Sequence, residues 1–452
     1  MLAWLTLPFL SERLNWLVPW LGSAAVVAFA LALVRVGQFY LTFISILLAV
    51  SILLYWVKRP LPPLSELFAS LLDFINIPMM LAILPLLAIP IRLGDLAHHI
   101  DAWGKRFVTS YRQLYGLTSV STYLLASFVN LAAIPMTHQL LSPLLPKEGD
   151  VYREAFLVRS LGRGYMLVLL WTPTAASIAL VISLTGVTWV SIFFPMLVFS
   201  AASLFLDIFT IGRAPKFTAL TAMNQSLHSP AERGAYQPRE TLLAVLRMLA
   251  VLVLLILSIE GLNHVTQWGF IYCLVLVTPP IAFLWSWQMR QAGSFWRQAG
   301  RYFTRQLGPA SYNNFAIFVG AGFFIGALQH VGFQEWIGQV LSRLSLYLPP
   351  LFLLLAVTLF LVAMTFCGIH QLLAMTIVGA AVPFLDLGLH PVAFSIALMT
   401  GTMIGVIGTP FSATTLLLSH LLGIPPLRIA WLNLPFAAVL LGLMLLTLWI
   451  VM

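Results

Sequence analysis

Hydrophobic positions in this chain neither alternate nor keep to one helical face; they run on. Uninterrupted or nearly uninterrupted apolar stretches occupy residues 18–34, 38–56, 65–91, 155–184, 187–208, 241–259, 267–288, 311–330 and 428–451, each about long enough for a helix to cross a bilayer. Polar residues fall in short clusters between them, and a hydrophilic stretch at 209–240 divides the chain. Three prolines, Pro78, Pro85 and Pro90, predict that the third stretch bends or ends early, because proline removes a backbone donor and clashes with the preceding turn. The apolar stretch 118–145 is interrupted by Asn130 and Pro135. Its halves, about ten residues each, are too short to span singly. A re-entrant hairpin with Asn130 near its tip fits better, and such a tip survives in hydrocarbon only inside protein or beside a wet cavity. Residues 336–383 repeat this form, with the break at Cys367-Gly368, and 391–419 is a further span broken within.

The interrupted stretches are copies of one another. A shift of 237 residues carries Asn130 onto Cys367, Thr172 onto Thr409, Pro173 onto Pro410 and Ala176 onto Ala413. Each copy has a polar or glycine break followed about forty residues later by a Thr-Pro break. Interrupted hydrophobic segments at matching places in two halves point to a transporter's binding site. The expected fold is therefore an all-α polytopic membrane protein. It has two inverted-topology repeats, each with a re-entrant hairpin and a discontinuous transmembrane helix, about ten full spans in all. The expected division is an N-terminal interfacial segment at 1–17, a first repeat at 18–208, a cytoplasmic linker at 209–240 and a second repeat at 241–452.

Composition sharpens this and excludes alternatives. The chain is 61% hydrophobic and 8% charged, with a mean hydropathy of +0.98, which leaves no polar surface for a water-soluble globule. The net charge of +9 does not indicate nucleic acid, because the arginines stand singly between apolar stretches. With 209–240 cytoplasmic, Arg35, Arg92, Lys105, Arg106, Arg112, Lys147, Arg153, Arg213, Arg290, Arg297, Arg301, Arg305 and Arg428 all fall on that side, and Arg13, Lys58, Arg59 and Arg343 fall opposite. That is the positive-inside bias, and it places the chain in the cytoplasmic (inner) membrane with five full spans per half, hence antiparallel halves. Two cysteines, Cys273 and Cys367, both within apolar stretches, indicate neither a disulfide framework nor a metal site. No phosphate-binding loop, metal-ligand motif or nucleophile elbow is present, so no enzymatic activity and no cofactor is expected. The connector 289–305, with Trp296 among spaced arginines, reads as a helix on the anionic leaflet, in contact with membrane lipids.

The chemistry is expected at the breaks. Broken helices expose positive amide ends that attract an anion and unwound carbonyls that hold a cation. The residues placed there are Asn130, Thr172, Pro173, Thr365, Cys367, Gly368, His370, Gln371, Gly408, Thr409, Pro410 and Ser412, with Ser121, Thr122, Ser127, Thr414 and Thr415 as further cavity-lining hydroxyls. His370 and Asp73 are the proton-coupling candidates, since ionisable groups at membrane depth are costly without a function or a partner. Arg159 and Arg163 are expected to anchor their helix at the cytoplasmic surface, and Asp207 to sit at a membrane edge. A lone Thr-Pro is an ordinary kink; two at one offset are the stronger signal.

These elements resemble those of the ion transporter superfamily, which includes divalent-anion/sodium symporters and arsenite-type permeases. In that superfamily hairpin tips carry a Ser-Asn-Thr-like element, and broken helices carry a Gly-Thr-Pro-like element often followed by Asn. Here Asn130 matches at the first tip and Gly408-Thr409-Pro410 and Thr172-Pro173 match at the broken helices, whereas Cys367-Gly368 and Phe411 depart from the pattern. The resemblance implies homodimerisation through scaffold helices and an elevator-like movement of the hairpin and broken-helix domain. The function expected is secondary transport of a small organic or inorganic anion, coupled to H+ or Na+. Two alternatives stand beside it: export or flipping of an amphipathic or lipid-linked molecule, and a non-transporting scaffold or sensor.

Overall fold

The computed structural model describes residues 18–72, 75–94, 108, 110–141, 151–211 and 238–452. The interfacial segment expected at 1–17, most of the linker expected at 209–240, and Asp73 lie outside the described residues. Among the described residues the chain is helical throughout and divides into two compact units, one from 1–86, 257–353 and 376–389, the other from 87–256, 354–375 and 390–452. Among the described residues eight helices are long and apolar enough to cross a membrane, or nine if one bent pair counts as a single span. The number falls below the ten expected partly because the first helix, Val18–Leu33, is 16 residues long, and partly because a seven-residue turn parts the two pieces of 155–184.

The first unit contains α1 (Val18–Leu33), α2 (Gln38–Val57), α3 (Leu64–Leu72) and α4 (Asn76–Ile83). It also contains α12 (Phe270–Gln288), α13 (Ala292–Arg301), α14 (Leu307–His330) and α15 (Phe333–Ser345). The third apolar stretch is in pieces, as its prolines predict: α3, α4, a 3-10 turn at Leu84–Leu87 and α5 (Ala88–Leu93). Helix α14 packs against α1, α2, α3 and α4, with Phe29, Val36, Ile44, Ala316, Ile317 and Val319 in the shared core. Arg35 donates to the Tyr312 hydroxyl at 2.7 Å. An open cavity of about 400 Å³ is lined by Tyr55, Pro62, Glu66, Ser70, Gly326, Gln329 and His330.

The second unit contains every break. In order come α6 (Tyr111–Val129), α7 (Ala133–Leu141), α8 (Val151–Val168), α9 (Ala176–Thr185) and α10 (Trp189–Ile211). Helix α11 (Pro238–Thr266) follows, its residues from 257 on belonging to the first unit. Later in the chain come α16 (Pro350–Phe366), α17 (Gln371–Ala381), whose residues from 376 on belong to the first unit, α18 (Pro391–Gly408), α19 (Ala413–Leu422) and α20 (Pro426–Val451). Helix α6 begins several residues before the expected start of its apolar stretch because Ser110 and Gln113 form a capping box: the Ser110 side chain accepts from the Gln113 amide and the Gln113 side chain from the Ser110 amide, a reciprocal closure of two orphan donors. The 237-residue shift carries the element bounds as well as the motifs. It takes the end of α6 onto the end of α16, all ten residues of α9 onto α19, and the start of α10 onto the start of α20. It also takes Gly186 onto Gly423, and both are left-handed residues that end their helices, at φ 69° and 68°, the conformation glycine adopts without a Cβ penalty.

Candidate functional site at the helix breaks

Each of the four sequence breaks is a structural break. At the first tip Asn130 has φ 54° and ψ −135°, a region that favours glycine and strains other residues. At the second, Gly368 has φ 90°. The chain thus uses a glycine one position beyond the residue that matches Asn130. Helix α6 runs alongside α8 in the same direction: Tyr111 and Tyr115 stack edge-on against Phe156, Ser119 meets Gly164, and the Ser127 carbonyl meets Thr172. Helix α7 packs back on α6, which turns the chain at Asn130. The second copy repeats the arrangement, with Thr358 beside Gly401, Thr365 beside Gly405 and Phe366 beside Gly408. The glycines allow this approach, since small residues are what bring helices together where no hydrophobic difference drives them.

The two Thr-Pro breaks solve one physical problem twice. Pro173 cannot donate to the Leu169 carbonyl, nor Pro410 to the Val406 carbonyl. A serine hydroxyl serves each instead: Ser177 donates to Leu169 at 3.3 Å and Ser412 to Val406 at 2.6 Å. Ser412 also caps α19 by accepting from the Thr415 amide at 3.0 Å. Thr172 and Thr174 both donate to the Ser127 carbonyl, at 3.2 and 2.8 Å, because α6 ends at the tip and leaves that carbonyl without a helical donor. Thr409 donates to the Gly405 carbonyl at 3.2 Å, and Thr365 to Val362 at 2.7 Å. Thr172, Thr365, Thr409 and Ser412 are buried, and Asn130, Gly368, His370 and Gln371 are half-buried. The Nδ1 atom of His370 is enclosed and has no hydrogen-bond partner.

The broken helices lie against one another in opposite directions. Gly162 meets Leu418, Tyr165 meets Thr414, and Thr185 meets Ser395 at 3.1 Å, so numbers rise on one while they fall on the other. Tyr165 ties the copies together: its hydroxyl donates to Asn130 Oδ1 at 2.8 Å and has Thr414 as its other side-chain partner. Periodicity gives no sign of Tyr165. Ser177 is legible in retrospect, as a hydroxyl four residues past a proline.

Two sequence expectations are corrected here. Arg163 is not a surface anchor and Asp207 is not at a membrane edge. Arg163 is 5% exposed and Asp207 1%, because α10 continues a turn past Asp207, and the two form a buried ion pair. Tyr115 donates to the other Asp207 oxygen at 2.6 Å. Arg163 further donates to Asn433 Oδ1 and the Leu432 carbonyl, each at 3.1 Å, and its guanidinium lies 4.5 Å from the Phe436 ring centre. Every charge in this cluster is matched, as burial at membrane depth requires. Nearer the helix ends Glu154 and Arg428 meet at 2.9 Å, which puts the starts of α8 and α20 at one end, where the arginine distribution places Arg153 and Arg428 together. This exposed pair adds little stability, about 0–1 kcal/mol.

Residues 173–452 match the family model described as the tripartite ATP-independent periplasmic transporter, DctM component. The chain belongs to this family. The DctM match begins within the first Thr-Pro break, so the first hairpin and α8 lie outside it. A solved structure described as the Alcanivorax borkumensis YdaH transporter, of unusual topology, matches 91% of this chain and 97% of its own at a TM-score of 0.58 and 15% identity, which shows a common fold. No curated protein matches the chain. The broad resemblance thus holds at the level of a polytopic transporter with an ion-transporter-superfamily type of fold. The family is the DctM one rather than the divalent-anion/sodium symporters or arsenite permeases. The chain is a multi-pass inner-membrane transport protein that moves a small solute across the membrane, and family and fold are those of transporters rather than enzymes.

Proposed function

We propose that the chain is the membrane-embedded component of a secondary active transporter that moves a small organic or inorganic anion, coupled to H+ or Na+. The observation that carries this reading is the antiparallel pair of broken helices, with a hairpin tip against each break. The α9 and α19 N-termini supply positive helix ends for an anion, and the α8 and α18 C-termini supply carbonyls for a coupling cation. The antiparallel contacts, together with the element bounds that coincide under the 237-residue shift, support two inverted repeats. The elevator-like step we assign to the chain is movement of the second unit, which carries all four breaks, as one body, with homodimerisation through helices of the first. The family description names a tripartite, ATP-independent system. On that basis the chain works with two further components, and the ion gradient and membrane potential supply the energy, about 2.3 kcal/mol per charge per 100 mV.

The test is uptake of a panel of radiolabelled small anions into proteoliposomes that hold the chain with its companion components, with sodium and pH gradients varied separately. Asn130→Gly keeps the positive-φ turn, which glycine accepts, and removes the amide that Tyr165 holds. Thr409→Ala removes a hydroxyl at the second break. Both variants should be recovered folded at near wild-type yield and lose uptake by about tenfold or more, equivalent to about 1.4 kcal/mol at the limiting step. Loss of folded yield in step with uptake would make these packing residues and sink the assignment.

A further inference from the structure

The first unit holds none of the four breaks, yet it carries the open cavity of about 400 Å³ between α2, α3 and α14. Close packing shapes its deep end. A Cβ at Gly326 would stand 2.6 Å from the Ser70 Cβ and 2.8 Å from the Tyr55 hydroxyl, and Tyr55 and Ser70 are buried. Glu66 and Gln329 are exposed and His330 is half-buried. The donors of this lining are largely committed elsewhere. Ser70 donates its hydroxyl to the Leu67 carbonyl at 2.9 Å. His330 Nε2 lies 2.8 Å from the Lys58 carbonyl oxygen. A carbonyl only accepts, so the proton is on Nε2, and in the neutral ring Nδ1 is an acceptor. The Glu66 carboxylate has no ion-pair or hydrogen-bond partner among the described residues, and an ionised carboxylate only accepts. A hydroxyl oxygen, an imidazole nitrogen and a carboxylate are left, all acceptors, with one net negative charge. The nearby cations do not answer it. Lys58 Nζ and Glu335 Oε2 stand 3.6 and 3.3 Å from one point, where a Cβ on Gly332 would be, and offset each other. The Arg59 guanidinium lies 5.9 Å from the Trp56 ring centre.

We infer that this cavity binds a primary ammonium group, with Glu66 matching its charge and Ser70 and His330 accepting its N–H donors. An ammonium brings three donors and no acceptor, the complement of what the lining offers. A metal ion fits less well: no three His, Cys, Asp or Glu side chains gather among the described residues. A free amine and the ethanolamine headgroup of a phospholipid present the same ammonium, and the test separates them. The site lies apart from the helix breaks and stands or falls independently of the anion-transport reading.

The test is thermal unfolding of the purified full chain in phosphatidylcholine nanodiscs, titrated at constant ionic strength with ethanolamine or with tetramethylammonium. Binding to the folded state raises the melting temperature, so ethanolamine should raise it saturably. Tetramethylammonium has the charge but no N–H, and should need about tenfold more to match it, the discrimination that a hydrogen bond to a charged group supplies. In Glu66→Gln the amine-free melting temperature should hold, since the side chain is exposed, and the ethanolamine response should weaken about tenfold or more. Nanodiscs containing phosphatidylethanolamine identify the source. A headgroup site shows a wild-type melting temperature already raised over phosphatidylcholine, no further rise with ethanolamine, and loss of the lipid's advantage in Glu66→Gln. A free-amine site keeps its full ethanolamine response there. Equal effects of the two cations, no effect of ethanolamine in phosphatidylcholine, or a response that Glu66→Gln retains would overturn the inference. Stabilisation by zinc in place of ethanolamine would make this a metal site and overturn it as well.

Discussion

Replacing Arg163 with leucine is expected to destabilise the folded protein by about 3–5 kcal/mol, the cost of leaving one member of a buried ion pair without its partner. Asp207 is enclosed, and after the change its carboxylate would keep the hydrogen bond from Tyr115 but lose its ion-pair partner. The loss extends beyond the pair, because Arg163 is also the donor to Asn433. The Asn433 amide in turn donates to Ile429 at 3.1 Å and reaches Ile407, just before the second break, at 3.5 Å. Arg163 thus fixes three helices, α8, α10 and α20, at one point. The double variant Arg163→Leu/Asp207→Leu should recover most of the lost stability, since removing both charges removes the desolvation cost of both. Thermal unfolding of the detergent-solubilised variants checks this. A single variant that melts like the wild type would show that the pair is not holding these helices.

Gly164→Ala is expected to part α6 from α8. A Cβ at 164 would stand 2.6 Å from the Ser119 carbonyl oxygen and 3.2 Å from the Thr122 Cβ. The first of these is backbone and cannot rotate away. Overpacking of this kind costs about 1–3 kcal/mol, and here it also displaces the tip, because the same two helices set the contact between Ser127 and Thr172. Gly442→Ala is the control: it too is within a helix, with nothing within 4 Å of the added carbon, and alanine is favoured over glycine in a helix by up to about 1 kcal/mol. Folded yield and melting temperature should therefore fall for Gly164→Ala and hold or rise for Gly442→Ala. Equal behaviour of the two would argue against the close approach.

The breaks were legible because proline and positive-φ turns are local. Pro173, Pro410, Asn130 and Gly368 announce themselves within a few residues, and the 237-residue shift makes two weak signals one stronger one. The third apolar stretch was legible for the same reason. What lay beyond reach was chemistry made by contact between distant segments. Arg163 and Asp207 are 44 positions apart and each, taken alone, reads as a charge near a helix end; only the packing of α8 on α10 buries them together. Tyr165 looks like any aromatic residue of an apolar helix until α6 and α19 place Asn130 and Thr414 against it. Length and apolarity alone do not tell a turned hairpin from a crossing helix: residues 111–141 pass as one long span, and it is the polar break at Asn130 that marks the turn.

The account depends on the two broken helices lying side by side in opposite directions. The direct measurement is oxidative cross-linking in a background where Cys273 and Cys367 are replaced by serine. Two cysteine pairs are tested, Gly162→Cys with Leu418→Cys and Thr185→Cys with Ser395→Cys. Both pairs should form disulfides readily, and the exchanged combinations, 162 with 395 and 185 with 418, should not. Cross-linking of the exchanged pairs, or failure of both named ones in folded protein, would contradict it.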